Sequence, residues 1–347
     1  MSTPIPPLGL IEGFYGTPWT FEQRLAQIDF LAQAGYRHYC YAPKDDVYLR
    51  DQWTHAHPLA LTEHLAQVAD RCAKHGMTFG VGLSPKELYL SFDDGARQAL
   101  REKWAWMREL GVHTLSLLFD DMRGDFPDLA QQQIRIAHWV ADLGPQALWL
   151  CPTYYSDDAV LDRVFGQRPP NYLRELGRGL DPIIQVYWTG EAVCSAAISA
   201  SHIRRVARQL RRPPVLWDNY PVNDGPRMSQ HLHISAFTGR DPALAAHVHA
   251  HMVNPALQPV LSQIPLLSLV QSYKTGSRYA HGSVFRQAAR RVCGPDLGRQ
   301  LWRDLSLLQD MGLNRLKPDT CERLKTCYSA YSHPAAAEVL AWLVSRD

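Results

Sequence analysis

No C-x-x-C pair occurs in the chain, and its seven cysteines (Cys40, Cys72, Cys151, Cys194, Cys293, Cys321 and Cys327) are odd in number and scattered. That pattern argues against a disulfide framework or a zinc ribbon and fits a reducing cytoplasm. No stretch approaches the ~18 to 20 uninterrupted apolar residues needed to cross a bilayer, so no membrane span is expected. The start, Met1-Ser2-Thr3-Pro4-Ile5-Pro6-Pro7, has no basic segment leading into an apolar core, and no signal peptide is expected from it. Charge of one sign is also lacking: 36 Lys and Arg face 34 Asp and Glu, a formal balance of +2 that provides no broad field for steering a polyanion such as nucleic acid. A glycine-rich G-x-G-x-x-G loop is missing after the first β-type run, which disfavours an open, doubly wound nucleotide-binding sheet. Apart from the proline-rich start, there is no low-complexity tract.

The 347 residues are 46% apolar and 20% charged, ordinary proportions for a globular protein with a sizeable core. The length suits a barrel of roughly 250 residues with a smaller appendage. Short β-type runs recur near 8–13, 37–42, 77–83, 113–119, 146–152, 183–188, 214–218 and 249–254, each followed by a segment of helical periodicity. Thr20-Phe21-Glu22-Gln23 matches a capping box, after which Leu25, Ile28 and Leu31 mark one apolar stripe that Gly35 ends. Leu61, Leu65, Val68 and Cys72 keep one face until Gly76, and further helices are expected over 94–111, 128–144 and 191–212. Eight such units close an α/β barrel of the (β/α)8 type, assigned to residues 1–275. Residues 276–347 read as a helical subdomain: Pro295-Asp296 opens a pattern carrying Leu297, Leu301, Leu305 and Leu308, and a second pattern carries Leu324, Tyr328, Val339, Leu340 and Leu343.

Two adjacent carboxylates, Asp120 and Asp121, stand immediately after the apolar run Leu115-Ser116-Leu117-Leu118-Phe119. Ionised carboxylates in a low-dielectric interior cost several kcal/mol each unless paired or solvated, so the pair belongs where the strand opens into a cleft. Like charges this close disfavour joint ionisation, which suits one acid working beside one base. In a βα barrel the active site is built at the carboxyl ends of the strands. Most of the unusual polar residues fall there: Glu12-Gly13-Phe14-Tyr15-Gly16, Pro43-Lys44-Asp45-Asp46, Thr153-Tyr154-Tyr155, Trp188-Thr189-Gly190, Trp217-Asp218-Asn219 with Asn223-Asp224, and Asn254-Pro255. Aromatics interleaved with amides and carboxylates are what a sugar site requires, flat faces for ring C–H surfaces and fixed partners for hydroxyls. Neighbouring aspartates approach a sugar from one side, whereas an ordinary acid and nucleophile flank it, so the usual carboxylate nucleophile is missing. The exception is a glycosidase whose substrate attacks with its own 2-acetamido oxygen.

Glu12-Gly13-Phe14-Tyr15-Gly16-Thr17-Pro18-Trp19, Tyr41-Ala42-Pro43-Lys44-Asp45-Asp46, Leu117-Leu118-Phe119-Asp120-Asp121, Cys151-Pro152-Thr153, Trp188-Thr189-Gly190, Trp217-Asp218-Asn219 and Asn223-Asp224 resemble the motifs of glycoside hydrolase family 84, the O-GlcNAcases and related β-N-acetylglucosaminidases. The resemblance spans about residues 8 to 256, in order and with barrel-like spacing. It implies a retaining hydrolase of terminal β-linked GlcNAc working through an oxazoline. Asp120 would hold the acetamide N–H and Asp121 would serve as acid, then base. Tyr155 would donate to the acetamide region, with Cys151 and Trp217 walling its methyl group and Asn219 supporting that side. Gly13, Lys44 and Asn254 would contact ring hydroxyls, and Asp224 those farthest from the scissile bond. No cofactor and no metal are implied. The partner expected is a GlcNAc-bearing glycoconjugate or glycoprotein, and a homodimer is compatible with the chain. Tyr154 stands where some relatives carry an acidic residue, a change expected at the pocket rim.

Each residue also has a plain structural reading. Gly13 suits a tight turn, Lys44 a surface ion pair with Asp45 or Asp46, Tyr155 and Trp217 a core, Cys151 a small buried hydrophobe, and Asn219 and Asp224 a loop closure. Two rival functions stand beside the glycosidase. His55 and His57, His231 and His233, and His247, His249 and His251 have the spacing of metal ligands on an extended segment, as in a metal-dependent amidohydrolase barrel. A catalytically silent GlcNAc-binding protein is the other, although binding alone needs no poised proton donor.

Overall fold

All eight apolar runs form strands: β1 (Leu8–Ile11), β2 (His38–Tyr41), β3 (Thr78–Leu83), β4 (Thr114–Leu118), β5 (Ala147–Cys151), β6 (Gln185–Trp188), β7 (Val215–Asp218) and β8 (Ala250–Val253). In this computed structural model, which describes residues 5–345, neighbouring strands pair in parallel and β8 returns to β1, closing the barrel. The first four residues of the proline-rich start, and with them most of the signal-peptide reading, lie outside the described residues. Strands covered by helices outside and by one another inside are buried on both faces, and β4 is buried at every position. This is the (β/α)8 architecture.

Helices alternate with the strands: α1 (Phe21–Ala34), α2 (Leu59–Lys74), α3 (Asp94–Glu109), α4 (Leu129–Ala141), α5 (Ala159–Phe165), α6 (Tyr172–Gly179), α7 (Ala200–Leu210), the short α8 (Gly225–Met228) and α9 (Pro259–Thr275). The capping box at the start of α1 is present in both directions, Gln23 N to Thr20 Oγ1 and Thr20 N to Gln23 Oε1, and Gly35 ends the helix with φ 93°. One helix departs from expectation. The segment 191–199 is a loop, and α7 starts only at Ala200, capped by the Ser199 hydroxyl. Ile198 bridges to Arg240, whose guanidinium donates to Ala196 O, so a tertiary tie holds the end of this stretch out of the expected helix.

Alternation along the strands sorts the polar residues into two layers. Inside the barrel Ser116 meets Tyr187 and lies beside Cys40, and the ring of Tyr187 packs edge-on against Trp149 and Trp217. Behind the sheet the opposite parity faces the helices. Glu12 takes a bidentate ion pair from Arg24 of α1 and a hydrogen bond from Tyr39; Trp188 donates to His202 of α7; Asp218 is clasped by Arg240 and His251, with Tyr273 of α9 next to His251.

Beyond Thr275 the chain forms α10 (His281–Leu305), α11 (Pro318–Ser329) and α12 (Pro334–Val344). Helix α10 turns back at Gly294 (φ 79°), so that Phe285 and Trp302 face each other at 5.5 Å across its two halves; Pro295 opens the second half, as its position suggests. The second expected pattern is split into α11 and α12 by the turn before Pro334. These helices continue the barrel's apolar core through Leu297, Leu324, Val339 and Trp342. Trp342 Nε1 donates to Ser229 O, and Leu232 N and Leu313 N exchange bonds across the seam with Leu308 O and Gln230 O. Among the described residues no helix is long and apolar enough to cross a membrane.

Candidate active site

The inner rows of the barrel run out of its carboxyl end into a pocket. Gly13, Lys44, Asp120, Cys151, Thr189, Trp217, Asn219 and Asn254 each continue the inward parity of their strand and line that pocket, and Tyr155 and Asp224 reach it from the loops. Asp121 has the wrong parity: after Phe119, packed outward against Tyr89, and Asp120, regular alternation would send its carboxylate away from Asp120's side. Its backbone is left-handed instead, with φ 57°. That conformation costs an L-residue about 1–2 kcal/mol, and Asp is among the few side chains that tolerate it. Both neighbouring carboxylates thereby line one cavity.

Asp120 is buried with Lys44, whose Nζ sits 2.5 Å from Asp120 Oδ2 and 3.4 Å from Ser84 Oγ. The surface pairing of Lys44 with Asp45 or Asp46 is therefore not what occurs: Asp45 accepts from Gly16 N, and Asp46 accepts from Tyr41 and lies beside His57. The other Asp120 oxygen, Oδ1, is buried and has no hydrogen-bond partner among the described residues. Such an acceptor is costly unless a ligand supplies a donor.

Asp121 receives a phenol on each oxygen, Tyr155 on Oδ1 at 3.0 Å and Tyr15 on Oδ2 at 2.8 Å, while Arg50 donates to its carbonyl at 3.1 Å. Burial, and after it the charge of Asp121, pushes both phenols well above the usual tyrosine range, so they remain donors. Burial likewise raises the thiol of Cys151, which makes it an apolar wall and a poor nucleophile.

On the far side, Asn254 Oδ1 accepts from Gly13 N at 3.1 Å, and Asn254 Nδ2 donates to Asn219 Oδ1 at 2.9 Å. Asn219 also takes the Trp217 indole N–H and donates to Val193 O, so one amide holds the aromatic wall, the β8 residue and the loop after β6 together. Gly13 is required for space, and its turn has no positive φ: a Cβ there would stand 2.2 Å from Trp217 Cζ2. Asp224 accepts from Tyr15 N, and burial raises its pKa.

All ten candidates read from the sequence thus line one pocket. Tyr15, Thr189, Val193, Cys194 and Val222 line it as well, and Arg50 supports it from behind. Tyr15 sat inside a motif without an assigned role, and Arg50 carried no local signal because only the fold of the loop after β2 brings it to Asp121. Other motif residues lie elsewhere, among them Glu12, Asp218 and Thr153, which belong to the buried network around the sheet. Tyr154 is a correction to the expected rim, since its ring is fully buried and its hydroxyl donates to Gly166 O. The histidine pairs are engaged structurally: His251 with Asp218 and Tyr273, His231 with Gln309 O, His233 with Val222 O, and His57 stacked on Trp106.

Comparison with known proteins agrees with this fold. The chain is 30% identical over 278 residues to the proteins named protein O-GlcNAcase of Mus musculus and of Rattus norvegicus, an alignment covering 77% of this chain and 30% of each relative. It therefore spans less than a third of the length of those relatives. Among solved structures, a variant of the Thermobaculum terrenum O-GlcNAc hydrolase superposes with a TM-score of 0.81 at 29% identity, over 97% of this chain and 80% of that one. The structure of CpGH84B has the same fold, with a TM-score of 0.76 at 24% identity over 94% and 58% of the two chains. A family model described as beta-N-acetylglucosaminidase matches residues 8–304, and with that match the chain belongs to the β-N-acetylglucosaminidase family, glycoside hydrolase family 84.

Proposed function

We propose that this chain hydrolyses terminal β-linked GlcNAc with retention of anomeric configuration, the substrate's 2-acetamido oxygen acting as nucleophile. The observation that carries the reading is the divided state of Asp120, with one oxygen paired to Lys44 and the other buried without a donor among the described residues. An acetamide N–H is the donor it lacks. As the acetamide oxygen attacks the anomeric carbon, positive charge develops on the cyclising group, and a fixed carboxylate beside it stabilises that charge without reorganisation.

Asp121 protonates the leaving oxygen in the first step and takes the proton from water in the second. Both its oxygens accept a phenol, and each keeps a second lone pair through which the proton can be taken and given. Tyr155 is the phenol that turns to the acetamide. Cys151 and Trp217 wall the methyl group, Asn219 fixes Trp217, and Gly13, Lys44, Asn254 and Asp224 face the sugar hydroxyls. The names of the relatives favour GlcNAc carried on protein as the natural substrate, and scattered cysteines, odd in number and without a C-x-x-C pair, favour a cytoplasmic setting. Residues up to 275 form the catalytic barrel and the helices after it a subdomain fastened to it.

Release of chromophore from an aryl N-acetyl-β-glucosaminide, with the first-formed anomer followed by NMR, tests the proposal. The β-anomer is expected. An α-anomer, or no release, contradicts it.

A further inference from the structure

We propose that Glu338, on the last helix of the appendage, is a positioning residue for the sugar-binding turn after β8; the inference rests on the enzymatic reading above. Helix α9 begins directly after that turn, and its first N–H groups have no intrahelical partners. Pro259 at the first position has no N–H to satisfy. Gln258, at the N-cap, makes no side-chain cap, because its amide oxygen accepts from Asn223 Nδ2 instead. The two remaining donors, Val260 N and Leu261 N, both go to Glu338, to Oε1 at 2.9 Å and Oε2 at 2.8 Å. Ser262 N then makes the first intrahelical bond, to Gln258 O. The cap of α9 is thus a carboxylate 78 residues further along the chain.

What α9 holds in place is the junction of three pocket loops. Asn254 accepts from Gly13 N through its side chain and from Val222 N through its carbonyl. Leu257 donates to Asn223 Oδ1 and accepts the Trp19 indole N–H. Asn223 immediately precedes Asp224. With Glu338 removed, Val260 and Leu261 lose both acceptors, and the turn must shift or fray to find others. Gly13, Asn254 and Asp224 shift with it.

These groups contact sugar hydroxyls in ground state and transition state alike, so their displacement is read chiefly in KM. Glu338→Ala is expected to lower kcat/KM on an aryl N-acetyl-β-glucosaminide by about 10- to 100-fold, the scale of a sub-ångström to ångström misplacement. Glu338→Gln, which keeps the side chain's shape and one acceptor oxygen, should lose less and remain folded if the alanine variant does not. Amide hydrogen exchange should accelerate at Val260 and Leu261 and, beyond them, at Asn254 and Gly13. A folded variant with wild-type kcat/KM and unchanged exchange at Gly13 and Asn254 overturns the proposal, whatever its melting temperature. If the wild-type chain releases no chromophore, the enzymatic reading fails, and the exchange measurement still decides whether Glu338 positions the turn.

Discussion

At the scale of single residues, two aspartates adjacent in sequence occupy different electrostatic settings. Asp120 has a buried ammonium beside it, whereas Asp121 has two phenols and a backbone of left-handed sense. Substitution of each should read out differently. Asp121→Asn is expected to slow glycosides with poor leaving groups by about 10²–10⁴-fold and activated aryl glycosides far less, because only the former need a proton donor in the first step. Asp120→Asn should cost about 10²–10³-fold even with activated leaving groups, since ring closure itself loses its stabilising charge. A leaving-group series run on both variants checks the division of labour, and parallel losses in the two would contradict it. Gly13 gives a steric counterpart. Gly13→Ala drives a methyl into the Trp217 ring, and the expected outcome is a loss of sugar affinity together with about 1–3 kcal/mol of stability, measured by inhibitor titration and denaturant melts.

At the scale of elements, the strands act as sorting devices whose parity decides which polar residue enters the pocket. Asp218 and Asn219 are neighbours, yet one lies behind the sheet and the other lines the cavity. Burial alone would raise the Asp218 carboxyl, but the Arg240 guanidinium and His251 hold it well below the usual carboxylate range. Arg240→Met leaves that charge buried without its principal partner. A loss of about 3–5 kcal/mol is expected in chemical denaturation, and a loss under about 1 kcal/mol would mean the network contributes little. What was legible in the sequence follows the same logic. The capping box of α1 and the eight apolar runs are local patterns, readable without tertiary knowledge. The loop 191–199 was not, because its end is tied to Arg240, more than 40 residues away. The ten pocket residues were legible through motif and strand-end position together, while the service of Glu12, Asp218 and Thr153 to the scaffold emerges only once each strand's register is fixed.

At the scale of the whole molecule, the appendage and the barrel share one apolar core, and Glu338 joins them with a half-buried carboxylate. No local pattern marks that residue, which in sequence is one acidic position on an apolar helix. Burial pushes its carboxyl up to about 7, against the pull of its two N–H donors, and Cys293 is the ionisable neighbour its field reaches. A carboxyl whose folded value lies above its unfolded one contributes fully while protonated, below the unfolded value, and that contribution fades as pH rises through about 7. The melting temperature of the wild type should therefore fall relative to Glu338→Gln between about pH 5 and about pH 8. A difference that does not change with pH would show that Glu338 ionises as readily in the folded chain as in the unfolded one.

The central claim is that the sugar carries its own nucleophile. Turnover of two aryl β-glycosides alike except at C2, one acetamido and one hydroxyl, tests it most directly. The account predicts hydrolysis of the first and a rate for the second lower by at least about 10³-fold, the consequence of losing a pre-positioned intramolecular nucleophile; comparable rates for the two would contradict it.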